Sequence, residues 1–216
     1  MKSLYLLLIA AAVTPAFAQT VPAVKSGLNY NRIAVGYSAD DILKGYNVTG
    51  SALLGGSFIV SGIYDDVKTK GEAFGGPIAG LSGKLSGFGL AYKFNVGPGD
   101  LAIGYFYKTG TVLGVVTALG DKVVASAEQK GFGLNYRQAI NASLEFSVGY
   151  SRQSTHLGFV DIDDPTLSDE LKATANVYTL GVRYNITKQL DASVDYVFKN
   201  RDSGGNKLGV SVGYNF

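Results

Sequence analysis

The sequence has no cysteine and no tryptophan, and it has only 1 histidine and 5 prolines among 216 residues. Without cysteine, the chain can form no disulfide, no thiolate nucleophile and no cysteine-ligated metal site. Its 19 Lys and Arg nearly balance 17 Asp and Glu, which argues against nucleic acid or another polyanion as a partner. No apolar run reaches the roughly eighteen residues that a membrane-spanning helix needs.

The N-terminus has the pattern of a secretory signal peptide. Lys2 supplies the positive charge, residues 4–13 form the apolar segment, and Ala16-Phe17-Ala18 is an A-x-A cleavage motif. The apolar segment is too short to span a bilayer as a helix, which disfavours the alternative of an N-terminal anchor. We therefore expect a signal peptide, 1–18, followed by a single exported domain, 19–216.

Large apolar residues alternate with small or polar ones through most of the chain, which is the period of β-strands. The end of the chain shows this best, because Leu208, Val210, Val212, Tyr214 and Phe216 share one face. We predict ten strands, or eight if two segments are loop hairpins. The predicted strands are 27–38, 45–54, 57–68, 84–94, 100–110, 123–138, 143–154, 174–184, 190–201 and 207–216.

The connections between these strands alternate in length. The short ones follow the even-numbered strands and are 55–56, 95–99, 139–142 and 185–189. The longest follow the third, fifth and seventh strands and are 69–83, 111–122 and 155–173. Short turns on one side and long loops on the other are typical of outer-membrane barrels. We therefore predict an all-β, antiparallel, up-and-down transmembrane β-barrel.

A soluble barrel shows the same alternation but points its apolar face inward, so the direction of the apolar face needs separate evidence. The faces opposite the apolar rows carry glycine, alanine and serine, as at Gly87, Gly89 and Ala91, where a water-facing surface would carry more charge. Aromatic residues cluster at both ends of the apolar rows, as they do at the two bilayer interfaces. With the signal peptide, these features favour an apolar face that meets lipid.

With these features, the chain resembles the small outer-membrane β-barrels of Gram-negative bacteria, the group that contains the OmpA transmembrane domain and OmpX. The most specific part is the strand 207–216, which resembles the signal read by the outer-membrane assembly machinery, although that signal often has glycine where this chain has Ser211. The resemblance implies location in the outer membrane, with its lipid, lipopolysaccharide and the assembly machinery as partners. Any surface ligand is unknown, and we expect no cofactor or metal. Full-length OmpA has a peptidoglycan-binding domain, and we expect none here after Phe216.

Several charged residues fall on the predicted inward rows. They are Lys93, Lys108, Arg137, Glu145, Arg183, Asp191 and Asp195. Arg183 and Asp191 flank one turn and Arg137 and Glu145 another, so we expect ion pairs across these hairpins. One interpretation is a network that fills a narrow lumen, which leaves the loops to serve a structural or surface-interaction role. The alternative is a narrow pore for small solutes or ions.

His156, the only histidine, precedes an acidic stretch that suggests two kinds of site. The acidic residues are Asp161, Asp163, Asp164, Asp169 and Glu170. No Asp-x-His or His-x-Ser pair accompanies the histidine, so a hydrolase or acyltransferase site is disfavoured and we predict no enzyme. The stretch also lacks the spacing of an EF-hand, so a solvated acidic loop is expected.

Two of the predicted loops are unexpectedly apolar, at 75–81 and 112–119. The second could extend the fifth strand beyond the bilayer as a tall hairpin. Alternatively, both could form exposed apolar surfaces for a partner or for lipopolysaccharide.

Overall fold

The computed structural model describes residues 28–40, 43–69, 78–116, 121–161, 168–199 and 206–216. Ten strands follow one another along the chain. They are β1 (Arg32–Ala39), β2 (Leu43–Leu54), β3 (Phe58–Thr69), β4 (Ile78–Val96), β5 (Gly99–Val116), β6 (Asp121–Ala139), β7 (Leu144–Asp161), β8 (Ser168–Asn185), β9 (Leu190–Lys199) and β10 (Lys207–Asn215).

The strands form one closed antiparallel sheet. Each pairs with its neighbours in sequence, and β1 pairs with β10 from Arg32–Asn215 to Ala39–Leu208. The predicted ten-stranded, up-and-down barrel is confirmed. Among the described residues there is no helix long and apolar enough to cross a membrane. The predicted signal peptide, 1–18, lies outside the described residues.

Side chains alternate strictly between a buried inner face and an exposed outer face. The outer face is apolar around the ring, with Val35 56% exposed, Val148 41% and Val212 54%. A continuous apolar surface of this kind is far larger than the patches that water-soluble monomers expose. It is the surface that a bilayer requires of a barrel.

Aromatic side chains border this apolar band at both ends. Near the short turns, the rings of Phe58 and Tyr92 lie 4.9 Å apart in an edge-to-face contact. At the opposite end, Tyr178 lies 5.3 Å from Tyr150 and 6.0 Å from Phe198. Rings with an apolar body and a polar tip favour the bilayer interfaces, so these two rows mark the limits of the membrane-spanning part.

Local chemistry forms the short turns. Gly55, Gly56 and Gly97 have positive φ angles of 59°, 79° and 59°, a backbone region that other residues rarely adopt. In the other two turns, the side chains of Asn141 and Thr187 accept hydrogen bonds from the backbone two and three residues further on. We call this end of the barrel the turn side and the opposite end the loop side.

The predicted long connections after the fifth and seventh strands were wrong, because most of their residues are strand. The strands β4 to β8 have 18 or 19 residues, against 8–12 in the others. A tilted strand crosses a bilayer in about 9–11 residues. The ladder between β5 and β6 continues to Val116–Asp121, and that between β7 and β8 to Val160–Ser168. These hairpins therefore project beyond the membrane on the loop side.

The two apolar stretches belong in part to these hairpins. Residues 112–116 extend β5, so the interpretation as a tall hairpin holds for them, and 117–119 lie outside the described residues. Of the other stretch, 78–81 begin β4 and 75–77 lie outside the described residues.

The predicted start of the first strand was also wrong. The strand begins at Arg32, and the preceding residues Leu28 to Asn31 are irregular. They are held by hydrogen bonds to β2: Leu53 N–H donates to the Asn31 side chain at 3.0 Å, and Ser51 Oγ donates to the Tyr30 carbonyl at 2.8 Å. This segment enters the turn-side end of the barrel.

We predict that Val148→Arg will lower the free energy of unfolding in lipid vesicles by about 2–4 kcal/mol, because it places a charge on the lipid-facing side of β7. Reversible urea unfolding followed by circular dichroism measures this. The matched control is Thr174→Arg, on the outer face of β8 but loopward of the Tyr178 aromatic row, where the cost should be about 0–1 kcal/mol. Equal costs at the two positions would contradict the assigned membrane limits.

Candidate functional site

The barrel interior is the candidate site, because it collects nearly all buried charge. The seven charged residues predicted on inward rows all point into it and are between 0 and 7% exposed. They are Lys93, Lys108, Arg137, Glu145, Arg183, Asp191 and Asp195. Sequence reasoning missed several others that are buried with them, namely Arg32, Asp65, Asp100 and Lys199.

Asp191 is the centre of the turn-side part of this network. Arg32 Nε and Nη2 donate to its two carboxylate oxygens at 2.9 and 2.5 Å, which is a two-bond, charge-assisted contact. Asn215 Nδ2 donates to the same carboxylate at 2.9 Å. Arg183, the partner predicted from the hairpin, lies further away, with Nε 3.8 Å from Oδ1. The closest partner of Asp191 therefore comes from β1, across β10.

A second carboxylate, Glu145, lies beside the turn at 140–143. It forms an ion pair with Arg137 and accepts a hydrogen bond from Asn185 Nδ2 at 3.0 Å. Arg183 Nη1 lies 3.9 Å from Glu145, so this guanidinium stands between the two carboxylates. The turn-side charges therefore form one connected network across β1 and β6 to β9.

Tyr30 closes the turn-side end on the other half of the ring. Its hydroxyl donates to Asp100 at 3.3 Å, and Lys93, which lies 3.4 Å from the same carboxylate, stands 5.6 Å from the centre of its ring. The ring packs on the inward side chains of Ile59 and Ala102. A residue from the irregular lead thus acts as an aromatic plug inside the barrel.

The sequence contains a signal for this plug that was not used. Leu28, Tyr30 and Arg32 have the same parity, and all three are at most 3% exposed. These residues continue the inward face of β1. Most other inward rows carry glycine and serine, so large apolar side chains on this row indicate that the segment fills space inside the barrel.

The loopward half of the interior is also packed. Lys108, which is fully buried, donates to Asp65 at 2.6 Å. Phe106 has no exposed surface, and Gln129 Nε2 donates to the Gln153 side chain at 3.0 Å. At these levels, inward side chains touch one another and leave their surfaces out of reach of water.

Long side chains from neighbouring strands occupy the space beside the glycine rows in the described part of the barrel. A Cβ atom on Gly213 would collide with the guanidinium of Arg32, and one on Gly181 with Asp195 and Ser147. A cavity of about 10 Å³ lies among Arg137, Glu145, Ser147, Arg183, Ser193 and Asp195. This is room for about one water molecule.

A larger space of about 650 Å³ lies on the outside of the barrel. It is bordered by outward side chains of β3, β4 and β5, including Val60, Leu90 and Ile103. All three are in the apolar band, so the space is a groove on the lipid-facing surface and not a solute pocket.

His156 lies on the outer surface, on the loop side. Its Nε2 is 3.3 Å from Glu170, and Lys172 Nζ is 3.2 Å from the same carboxylate. Lys172 first, and then His156, hold the pKa of the Glu170 carboxyl below its usual value. Asp163 and Asp164 lie outside the described residues. Within the described segments, no three His, Asp or Glu side chains converge in a way that could hold a metal ion.

Comparisons with known proteins rest on structure alone, because no protein-family model and no curated protein matches this sequence. The translocator domain of the autotransporter NalP from Neisseria meningitidis aligns with a TM-score of 0.55 at 10% identity, over 86% of this chain and 87% of that one. The KdgM porin in complex with disordered oligogalacturonate gives 0.44 at 12% identity, over 86% and 99%. The N-terminal β-barrel domain of Pseudomonas aeruginosa OprF gives 0.38 at 13% identity, over 88% and 100%. The NalP alignment supports the fold, a closed membrane-type β-barrel.

We predict that Asp191→Asn will destabilise the folded barrel by about 3–5 kcal/mol, because it leaves the buried guanidinium of Arg32 without its anionic partner. Equilibrium unfolding in a neutral detergent or lipid gives the value. In the double variant Arg32→Met, Asp191→Asn, no such charge is left at this contact, and the loss should be smaller than in the single variant. A single-variant loss below about 1 kcal/mol would mean that water reaches this site.

Proposed function

We propose that this chain is an integral outer-membrane protein of a Gram-negative bacterium that acts without catalysis and without conducting solutes. In this proposal the protein is exported by the signal peptide 1–18. Its function is structural or depends on surface interactions made by the loop-side hairpins. The observation that carries the proposal is the packed lumen, in which side chains such as Lys108 and Asp191 have no exposed surface.

The location is supported by the outer surface of the barrel. Its apolar band and two aromatic rows fit a bilayer, and closed barrels are the only sheets that satisfy their backbone in lipid. The expected partners follow from this location: outer-membrane lipid, lipopolysaccharide and the assembly machinery. The closing strand offers Val210, Val212, Tyr214 and Phe216 as the outward residues through which the machinery would recognise it.

The packed interior argues against the pore alternative. A water-filled passage would leave the inward rows wet along the whole barrel, yet buried groups occur near the turns, at Asp100 and Asp191, and loopward of them, at Lys108 and Gln129. Moving a solute through would require breaking buried ion pairs at more than one level, and each break exposes an uncompensated charge.

The hairpins β5–β6 and β7–β8 are the parts available for surface contacts. Directly loopward of the aromatic rows their outer faces are polar, with Thr109, Thr111 and Lys130 on β5 and β6, and the exposed apolar side chain of Leu113 follows on β5. The ladders remain regular there, so the described parts of the hairpins present a paired sheet to the outside.

We predict that the purified protein in planar bilayers will show no stepwise conductance above background, because buried side chains occupy the lumen both near the turns and loopward of them, at Lys108 and Gln129. Cysteine accessibility gives a second readout, since the natural chain has no cysteine. Ala102→Cys places a thiol behind Tyr30 and should resist a membrane-impermeant maleimide added from the turn side. The same thiol should react in Ala102→Cys, Tyr30→Ala.

The labelling control is Ala142→Cys, on an exposed turn, which should react in every background. Stepwise conductance from the unmodified protein would overturn the closed lumen in favour of the pore. Fast labelling of Ala102→Cys with Tyr30 present would show that the turn-side end is open.

Trimming one hairpin separates the surface role from a purely structural one. Thr111 and Ser126 are ladder partners. Replacing residues 112–125 by Asn-Gly joins them through a two-residue turn and removes the loopward part of the β5–β6 hairpin. We expect the trimmed barrel to insert normally and still migrate faster unheated than boiled on a gel.

The trimmed protein is then tested in a strain that lacks the gene. If the hairpin carries the function, trimming should reproduce the phenotype of the deletion in cell attachment. Restoration of every deletion phenotype by the trimmed protein would instead place the function in the barrel itself, as a structural component of the envelope.

A further inference from the structure

Two lysines face each other on the outer surface of the barrel. Lys44 on β2 and Lys68 on β3 are direct partners in the ladder, and both point outward. Lys84 on β4 points outward near them, 70% exposed, and among the described residues its Nζ forms an ion pair with Asp66 alone, at 3.9 Å. We call Lys44, Lys68 and Lys84 the lysine patch. Like charges directly opposite each other destabilise a sheet, so this arrangement needs a reason.

Two outward lysines on the other side of the barrel have carboxylate partners. Lys130 Nζ lies 2.8 Å from Glu128, and Lys172 Nζ lies 3.2 Å from Glu170. In the described part of the chain, no carboxylate forms an ion pair with Lys44 or Lys68. Arg152, which points outward on β7, also forms no ion pair among the described residues, but its direct ladder partners are Phe132 and Asn176 and not another cation. Two such cations are direct partners only at Lys44 and Lys68 among the described ladders.

The lysine patch has a defined depth relative to the membrane. The next outward residue after Lys44 toward the turn side is Tyr46, which is 60% exposed and packs 5.2 Å from Tyr37. Below Lys68 and Asp66 comes Tyr64, which is 40% exposed. The patch therefore lies directly loopward of the aromatic row, at the level where lipid headgroups meet the protein.

We propose that the lysine patch binds the phosphate-bearing headgroup of a lipid in the loop-side leaflet, with an acyl chain lying on the apolar strip below it. This rests on the proposed membrane location and adds a specific lipid site to it. A phosphate between Lys44 and Lys68 would replace the repulsion between the two ammonium groups by two attractive contacts. Lysine is a common phosphate ligand, because its ammonium group acts as a compact positive charge. The strip for the chain consists of Tyr46, Val48 and Tyr64, all exposed on the outer face.

The position of the patch favours a lipid over free phosphate. Its lysines project from the outer wall and not into a pocket, so a free ion there would keep most of its water and gain little. A lipid is already held at this depth by its chains and meets the lysines at a high effective concentration.

The test measures lipid retention by the intact barrel. Protein is refolded in neutral detergent, incubated with a diphosphorylated saccharolipid and, separately, with phosphatidylcholine, and bound lipid is counted by native mass spectrometry. We expect retention of the phosphorylated lipid, and about fivefold weaker binding for each lysine replaced in Lys44→Gln and Lys68→Gln. The double variant should lose roughly 25-fold.

The matched control is Lys130→Gln, Lys172→Gln, which removes two outward lysines that have their own carboxylates. It should retain the lipid almost as well as the natural sequence. Equal loss in the two double variants would overturn a specific site, since it would show only general attraction to positive charge. Inorganic phosphate at the same concentration should not displace the lipid, and full displacement would make this a site for free anions.

A charge reversal distinguishes binding from stability. Lys44→Glu should leave stability in neutral detergent unchanged or raise it, because it pairs with Lys68, while retention of the phosphorylated lipid should fall at least as far as in Lys44→Gln. If Lys44→Glu keeps its lipid, the proposal fails. Loss of this site would leave the closed lumen intact, so conductance and thiol labelling report on the proposed function separately.

Discussion

Every backbone N–H and C=O group inside a bilayer needs a partner within the protein, because lipid supplies none. In this chain the last of these partners are provided by the seam between β1 and β10. Without it, two strand edges would face lipid. The seam also places Arg32 next to β10 and within reach of Asp191 on β9. Closure of the sheet and neutralisation of the lumen therefore depend on the same pair of strands.

The lumen follows a second constraint, which is that charges removed from water must be paired. Four cations, Arg32, Lys93, Arg137 and Arg183, meet three carboxylates, Asp100, Glu145 and Asp191, in the turn-side half. Asp195 is buried beside them and accepts a hydrogen bond from Ser193 at 3.5 Å. Glycine on the neighbouring strands gives these long side chains the space they need. The small residues and the long charged side chains therefore pack against each other inside the barrel. This explains why a lining rich in glycine and serine surrounds a filled interior instead of a channel.

The alternation of apolar and small residues was enough to predict the number of strands, their order and the residues that face lipid. The direction of a side chain depends only on its position within its own strand. Pairing across the lumen was not predictable in the same way. Arg32 and Asp191 are 159 residues apart and meet only because β10 lies between their strands. The true lengths of β5 to β8 were missed for a different reason. Directly above the membrane their outer faces carry threonine, serine and charge, and this pattern predicts a loop when a strand is expected to be apolar outside. The apolar residues Leu113 and Val124 lie beyond these polar positions on β5 and β6. Tyr30 was missed because its segment makes no ladder, although its inward parity continues that of β1.

The unequal strand lengths give the barrel two different rims. On the side of β5 to β8 the sheet continues into water, and there Lys130 and Lys172 each have a carboxylate beside them. In water, the loss of such a carboxylate would cost little stability, because solvent and salt screen the lysine charge. On the side of β2 and β3 the strands end near the aromatic row, and there Lys44 and Lys68 face each other with no ion pair to a carboxylate of the described residues. Exposed ion pairs contribute little to stability, so their presence on one rim does not explain their absence on the other. The proposed lipid site accounts for the difference, because the high rim would meet water, whereas the low rim would meet headgroups, whose phosphate supplies the anion.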